Sequence, residues 1–296
     1  MADSYARSLI SSAQLNRARG KVTYRIVLTV VIVIFTLVFI GPLYFLFADG
    51  LKSTQEAIAN PPTLYPHALH PSSYTRAWDE FSLGRLLLNT LYYACGALAF
   101  QLVFDVAAAY SLSRLRPVLG NVILAMMVAT LMIPAMVLIV PLYITVAHLP
   151  IVNISLIGSP AAIWLPSVAN GFNIFLLKRF FDSIPRELTE AAAMDGASPI
   201  RILRSIIIPI SRPILAVVSI FSLVAVWKDF LWPLLVEGGY NPPRETLNVG
   251  IWTASQTAPE NMVLAASAIA AVPTIIFFLI FQRNILAGLT AGGIRG

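Results

Sequence analysis

The sequence predicts an all-α, polytopic membrane fold of six transmembrane helices with both termini in the cytoplasm. Three observations predict it. Of 296 residues, 58% are hydrophobic and only 11% charged, whereas soluble domains carry about a quarter charged residues. Six stretches are apolar and long enough to cross a bilayer, which takes about 20 residues. Lysine and arginine fall unevenly between those stretches. A soluble chain of this composition lacks the polar groups to cover its surface, so lipid is the solvent that suits it.

The apolar stretches run Val22–Phe47, Leu86–Tyr110, Val118–Ala147, Ile157–Leu177, Ile214–Val236 and Met262–Phe281. The first is too long for the apolar region of a signal peptide, and Phe39 to Tyr44 offers no small-residue cleavage pattern. It reads as a retained helix. One side of the predicted spans carries Arg7, Arg17, Arg19, Lys21, Arg25, Arg114, Arg116, Lys178, Arg179, Arg186, Arg201, Arg204, Arg212, Arg283 and Arg295. The other side carries Lys52, Arg76, Arg85 and Arg244. The positive-rich side is the cytoplasmic one. This gives a cytoplasmic N-terminal segment over 1–21, a transmembrane domain over 22–281 with a cytoplasmic loop at 178–212, and a cytoplasmic tail over 282–296.

The first outer loop, 48–85, contains Pro61, Pro62, Pro66 and Pro71, and is expected to be ordered only by contact with its neighbours. The outer loop 237–261 contains Pro242, Pro243 and Pro259. Pro134 and Pro141 share a face of the third span; they read either as ordinary kinks or as hinges beside a moving pathway.

The net charge of +6 does not mark a nucleic-acid binder, because the basic residues form no dense patch interleaved with aromatics. Cys95 is the one cysteine, so it supports neither an intramolecular disulfide nor a cysteine-rich metal site; it reads as a small buried apolar residue. His67 and His70 lie in a proline-rich loop, where solvation explains them better than a shared ligand. No phosphate-binding G-x-x-x-x-G-K-[S/T] loop, H-E-x-x-H helix or G-x-S-x-G elbow is present, so the sequence offers no catalytic centre and no means of hydrolysing ATP.

The segment from Asp182 to Pro209 is the most informative. Its punctuation predicts two short helices. Asp182 or Ser183 caps the first, with Pro185 and Glu187 in the opening turn. Glu187 to Met194 is rich in helix formers, and Gly196 supplies the left-handed residue that ends it. Ser198 caps the second helix, Pro199 opens it and Pro209 limits it. Leu188, Ala191 and Ala192 share a face at helical spacing, flanked by Glu187 and Glu190. Such a face suits either close contact with another protein or rest on the membrane surface.

The run Glu190-Ala191-Ala192-Ala193-Met194-Asp195-Gly196-Ala197, followed by Pro209, resembles the EAA motif of ABC importer permeases. The resemblance covers nearly the whole chain. It is nearest to the G-type permease subunit of maltose-like carbohydrate importers, through Met132-Ile133-Pro134, Pro141-Leu142-Tyr143, Ile174 to Leu177, Trp227 to Pro233, and the tail from Phe281 to Gly293. It implies a type I importer permease fold. It further implies that Glu187, Glu190, Ala191, Ala192, Asp195, Gly196 and Ala197 form a coupling helix that docks in a groove of an ATP-binding subunit. The implied partners are a second permease, two ATP-binding subunits that hold ATP and magnesium, and an extracytoplasmic solute-binding protein, in the inner membrane of a prokaryote. No cofactor is expected on this chain itself. The implied cargo is a sugar, oligosaccharide or polyol, with glycerol phosphate as the alternative; an ion-gradient-driven transporter fits less well, because no internal repeat is visible.

The chain departs from that family at Lys228, where the fifth span usually has asparagine. Lys228 and Asp229 lie near the middle of that span, where a charge costs about 2.5–3.5 kcal/mol on insertion scales. Adjacent residues do not face each other on a helix, so the two are expected to have different partners. Trp227, Lys228, Asp229 and Asn173 are the candidates for lining a pathway or meeting the second permease. Asp105, close to Arg114 and Arg116, is expected to have a structural role at the interface, and Asn89, Asn170 and Asn173 to hydrogen-bond between helices.

Overall fold

A computed structural model describes residues 18–237 and 244–291, which are helical with short connections and no strand. Most of the expected N-terminal segment, Pro242, Pro243 and the last five residues of the tail lie outside the described residues. The elements are α1 (Ala18–Asp49), α2 (Thr54–Ala57), α3 (Ser72–Glu80), α4 (Leu83–Tyr110), α5 (Gly120–Thr130), α6 (Ala135–Ala147), α7 (Ala161–Ser167), α8 (Gly171–Ser183), α9 (Arg186–Met194), α10 (Pro199–Ile210), α11 (Arg212–Lys228), α12 (Leu231–Glu237), α13 (Leu247–Ser255) and α14 (Glu260–Ala291). A π turn over Ser111–Leu115 continues α4, and another lies within α10 at Leu203–Ile207. Two compact units share the chain: Met1–Tyr74 with Pro259–Ala268, and Thr75–Ala258 with Ile269–Gly296.

In the first unit, α1 exposes apolar residues all round, among them Phe35, Leu37, Val38 and Phe39. A helix apolar on every face belongs in a core or in lipid. The proline-rich stretch after it is held by its own polar lock. Lys52 is 1% exposed; its Nζ donates to the Thr63 carbonyl at 2.6 Å and pairs with Asp49 at 2.5 Å. Asn261 donates to the Lys52 carbonyl and to Ser73 Oγ, and accepts from Thr54 Oγ1. Glu56 accepts from Thr63 Oγ1 and the His67 backbone N–H, and pairs with His67 Nδ1 at 2.8 Å. The buried lysine is therefore paired and hydrogen-bonded, as a buried charge must be.

In the second unit, α4 is the central helix. Near its C-terminal end, Val106, Ala109 and Tyr110 join Ile174, Leu177 and Phe181 of α8, Ile202 and Ile207 of α10, and Val217 and Val218 of α11 in one core. Near its other end, Tyr93 packs with Val146, Ala162, Ile163 and Val236. Gly96 allows α7 to approach: a Cβ there would lie 2.3 Å from the Trp164 ring. Trp164 Nε1 donates to the Tyr93 carbonyl at 3.1 Å, and Trp232 Nε1 to the Ala162 carbonyl at 2.9 Å. The buried stripe of α4 is Thr90, Tyr93, Ala94, Ala97 and Gln101. Cys95 lies off that stripe and is exposed, contrary to the buried residue expected from the sequence.

Several expected spans are broken. The stretch 118–147 is two helices, α5 and α6, meeting at 107°. Pro134, at φ −59° and ψ 127°, stands at the N-cap of α6; it has no N–H to continue α5, and it pushes Ile133 away from helical geometry. Proline here ends a helix instead of kinking one. The stretch 157–177 becomes α7 and α8, divided where extended Asn170 accepts from the Asn173 N–H and caps α8. The fifth stretch divides after Lys228, and α10 meets α11 at 83°. Among the described residues, three helices are long and apolar enough to cross a membrane singly, or five if each bent pair is one span. Asp105 is fully buried and accepts from the Asn170 N–H at 3.0 Å, a structural contact; among the described residues it forms no ion pair with an arginine.

Gly96→Ala is expected to destabilise the detergent-solubilised protein by about 1–3 kcal/mol through overpacking against Trp164. Gly41→Ala, with nothing within 4 Å of the new methyl and alanine the better helix former, is expected not to lower the thermal midpoint.

Candidate functional site

The site is built where α4, α8, α9 and α10 meet. α9 runs Arg186–Met194 and none of its residues is buried. A nine-residue helix with no buried face is marginal alone, so its ends matter. Its N-cap position is Pro185, with no side-chain cap. The expected caps, Asp182 and Ser183, are spent elsewhere because α8 continues to Ser183. Asp182 accepts from Ser113 Oγ at 2.7 Å and pairs with Lys178 at 2.7 Å; Ser183 Oγ donates to the Phe180 carbonyl.

The C-terminal end of α9 follows the expected plan. Gly196 has φ +79°, the conformation that glycine adopts without a Cβ penalty. The Gly196 N–H donates to the Ala193 carbonyl and the Ala197 N–H to the Ala192 carbonyl, both within 3.0 Å. These bonds satisfy carbonyls that a helix end leaves open. Ser198 then accepts from the Arg201 N–H, and Pro199 opens α10.

Arg114 fastens this elbow. Its Nη2 donates to the Phe181 carbonyl at 2.5 Å and the Ile184 carbonyl at 2.7 Å. Both carbonyls lie at the C-terminal end of α8, where a cation also meets the negative end of the helix. The sequence placed Arg114 as a topological charge and a neighbour of Asp105; its role at α8 depends on α4 and α8 lying side by side, which no local pattern reveals.

Of the predicted coupling residues, Glu187, Glu190, Ala191, Asp195 and Gly196 are exposed. Ala192 and Ala197 instead pack against the protein's own core. The free apolar surface is Leu188 with Met194 and Ile200, 45%, 89% and 70% exposed. Met194 and Ile200 were not singled out by sequence reasoning, although an apolar residue at each helix edge of an otherwise polar segment was the available signal. Behind α9 lies a cavity of about 350 Å³ lined by Arg114, Arg116, Arg186 and Glu190.

The second predicted group separates. Trp227 and Lys228 line a cavity of about 400 Å³ with residues of α4 and α14. Asp229 does not: its Oδ1 accepts from the Trp232 N–H at 3.5 Å, at the start of α12. Asn173 is 2% exposed and donates to Ser222 Oγ at 3.2 Å, joining α8 to α11. Among the described residues no group of three or more His, Cys, Asp or Glu side chains forms a metal site.

Residues 87–289 match the family described as binding-protein-dependent transport system inner membrane component. The chain is similar to the sulfoquinovosyl glycerol transport system permease protein SmoH of Agrobacterium fabrum, with 32% identity over 86% of this chain and 88% of the relative. It is also similar to the melibiose/raffinose/stachyose import permease protein MelC of Bacillus subtilis, with 28% identity over 86% of this chain and 91% of the relative. The fold is that of a chain in the crystal structure of a bacterial ABC transporter involved in the import of the acidic polysaccharide alginate. That match has a TM-score of 0.76 and 24% identity, over 90% of this chain and 98% of the other.

Arg114→Ala removes two hydrogen bonds from a charged donor, each worth about 1.5–3 kcal/mol. Limited trypsinolysis is expected to cut faster at Arg201 and Arg204, with helix content by circular dichroism unchanged. Arg114→Lys is expected to restore protection only in part, since an ammonium cannot reproduce the planar fork.

Proposed function

Since this chain belongs to the family of inner-membrane components of binding-protein-dependent transport systems, we propose that it forms half of the pathway of an ATP-driven importer through the elbow at 185–210. The observation that carries this reading is α9 itself: a helix with no buried residue, ended by a tight glycine turn and fastened to α4 and α8 through Arg114. An exposed but braced helix suits the transmission of force from a docked subunit.

In this reading the chain crosses the inner membrane six times in the type I importer arrangement, with 1–21, the 178–212 loop and 282–296 in the cytoplasm. The broken stretches 118–147 and 157–177 then each count as one span. Glu187, Glu190, Ala191 and Asp195 meet an ATP-binding subunit, which carries the ATP and magnesium; the permease itself is not catalytic. A second permease completes the pathway, two ATP-binding subunits drive it, and an extracytoplasmic binding protein delivers the cargo. ATP binding moves the elbow, and α4, α8 and α11 move with it through their shared core. The two relatives carry names of glycoside and oligosaccharide importers, which supports a carbohydrate cargo.

The test is reconstitution of the complete complex in proteoliposomes. Glu190→Lys is expected to lower solute-stimulated ATP hydrolysis about tenfold or more, because a reversed charge at a docking face costs several kcal/mol. Gly196→Ala, which forces a side chain into the left-handed region at about 1–2 kcal/mol, is expected to weaken stimulation with the complex still assembled. Full stimulated hydrolysis in both variants would sink the coupling role.

A further inference from the structure

We propose that Lys228 is a binding site for the anionic group of the cargo, so that this permease carries an acidic carbohydrate. The proposal rests on the permease reading above and narrows its substrate class. Lys228 is the last residue of α11, a continuous helix from Arg212. It stands about 21 Å along that helix from Ile214, within a hydrocarbon layer about 30 Å thick. A lysine at such a position carries an insertion cost, and intramembrane charges face a partner or a water-filled cavity.

No partner is supplied among the described residues. Lys228 makes no hydrogen bond or ion pair among the described residues, whose ion pairs all involve other groups. The break after Lys228 does not need it either. Asn248 Nδ2 donates to the Trp227 carbonyl at 3.0 Å and lies 3.5 Å from the Asp229 carbonyl. The neighbouring carboxylate, Asp229, is turned to the Trp232 N–H.

The lysine instead lines two adjoining cavities of about 400 and 390 Å³, with Val224, Thr274 and Phe277 common to both. None of their lining residues is acidic. A cavity of this size holds a sugar-sized molecule. The two cavities' aromatic and aliphatic walls suit the apolar faces of a pyranose ring, and the exposed lysine on their lining suits one carboxylate, sulfonate or phosphate ester. Such a charged group, brought out of water, forms a charge-assisted hydrogen bond stronger than a neutral hydroxyl can offer.

The experiment uses the complete transporter in proteoliposomes. Four labelled disaccharides are compared: one bearing a uronate carboxylate, one a sulfonate, one a phosphate ester, and the unsubstituted sugar. The wild type is expected to import at least one anionic probe in preference to the neutral one, and the preferred probe identifies the acid. Lys228→Gln is expected to lower the anionic-to-neutral uptake ratio about tenfold or more, and Lys228→Arg to hold it within about threefold. An unchanged ratio in Lys228→Gln overturns the proposal. So does loss of the second permease from the purified, solute-free Lys228→Gln complex, which would assign the lysine to a carboxylate on that partner. Wild-type import of the neutral disaccharide alone overturns the anion assignment and leaves the permease reading standing. Failure to assemble with an ATP-binding subunit overturns the permease reading itself.

Discussion

The guanidinium of Arg114 sits at the end of α4 and reaches the last carbonyls of α8, those of Phe181 and Ile184. Helix ends leave such carbonyls without partners, and these two lie at the point where the chain turns into α9. One side chain therefore joins the central helix, the helix before the elbow and the elbow itself. Ser113 adds a second tie through Asp182. Behind them, Ala192 and Ala197 rest on the core that α4, α8, α10 and α11 share. In the proposed coupling role, a push on the exposed side of α9 would meet that core and not a loop.

The rest of the second unit consists of spans that stop and restart. Pro134 ends α5, Asn170 divides α7 from α8, and Asp229 divides α11 from α12. Breaks of this kind are tolerated in a membrane only where the freed backbone groups find partners or line a cavity. Asn170 supplies its own cap, and Asn248 reaches the carbonyls beside Lys228. The same break leaves a lysine beside an apolar cavity, the feature on which the proposed anionic cargo rests.

Much of this was legible in the sequence, and the reasons are local. Gly196, Ser198 and Pro199 occupy the conformations their chemistry prefers, so the turn between α9 and α10 could be read residue by residue. The breaks could not be read in the same way. Pro134 and Pro141 look alike in sequence, yet one caps α6 and the other lies inside it, because neighbouring helices decide which break is satisfied. Asp182 was a plausible cap until Ser113 and Lys178, brought by α4 and α8, claimed it. Cys95 looked buried because its run is apolar; only the register of α4 against α7 shows that Ala94 and Ala97 take the inner face and Cys95 does not.

The most direct measurement is cysteine crosslinking in the intact complex, in a Cys95→Ser background. Ala191→Cys places a thiol on the exposed side of α9, and Ala197→Cys one against the chain's own core. The account predicts an ATP-dependent crosslink from position 191 to the ATP-binding subunit and none from position 197. Equal crosslinking at both positions, or none at 191 in a complex that still hydrolyses ATP on solute addition, would contradict it.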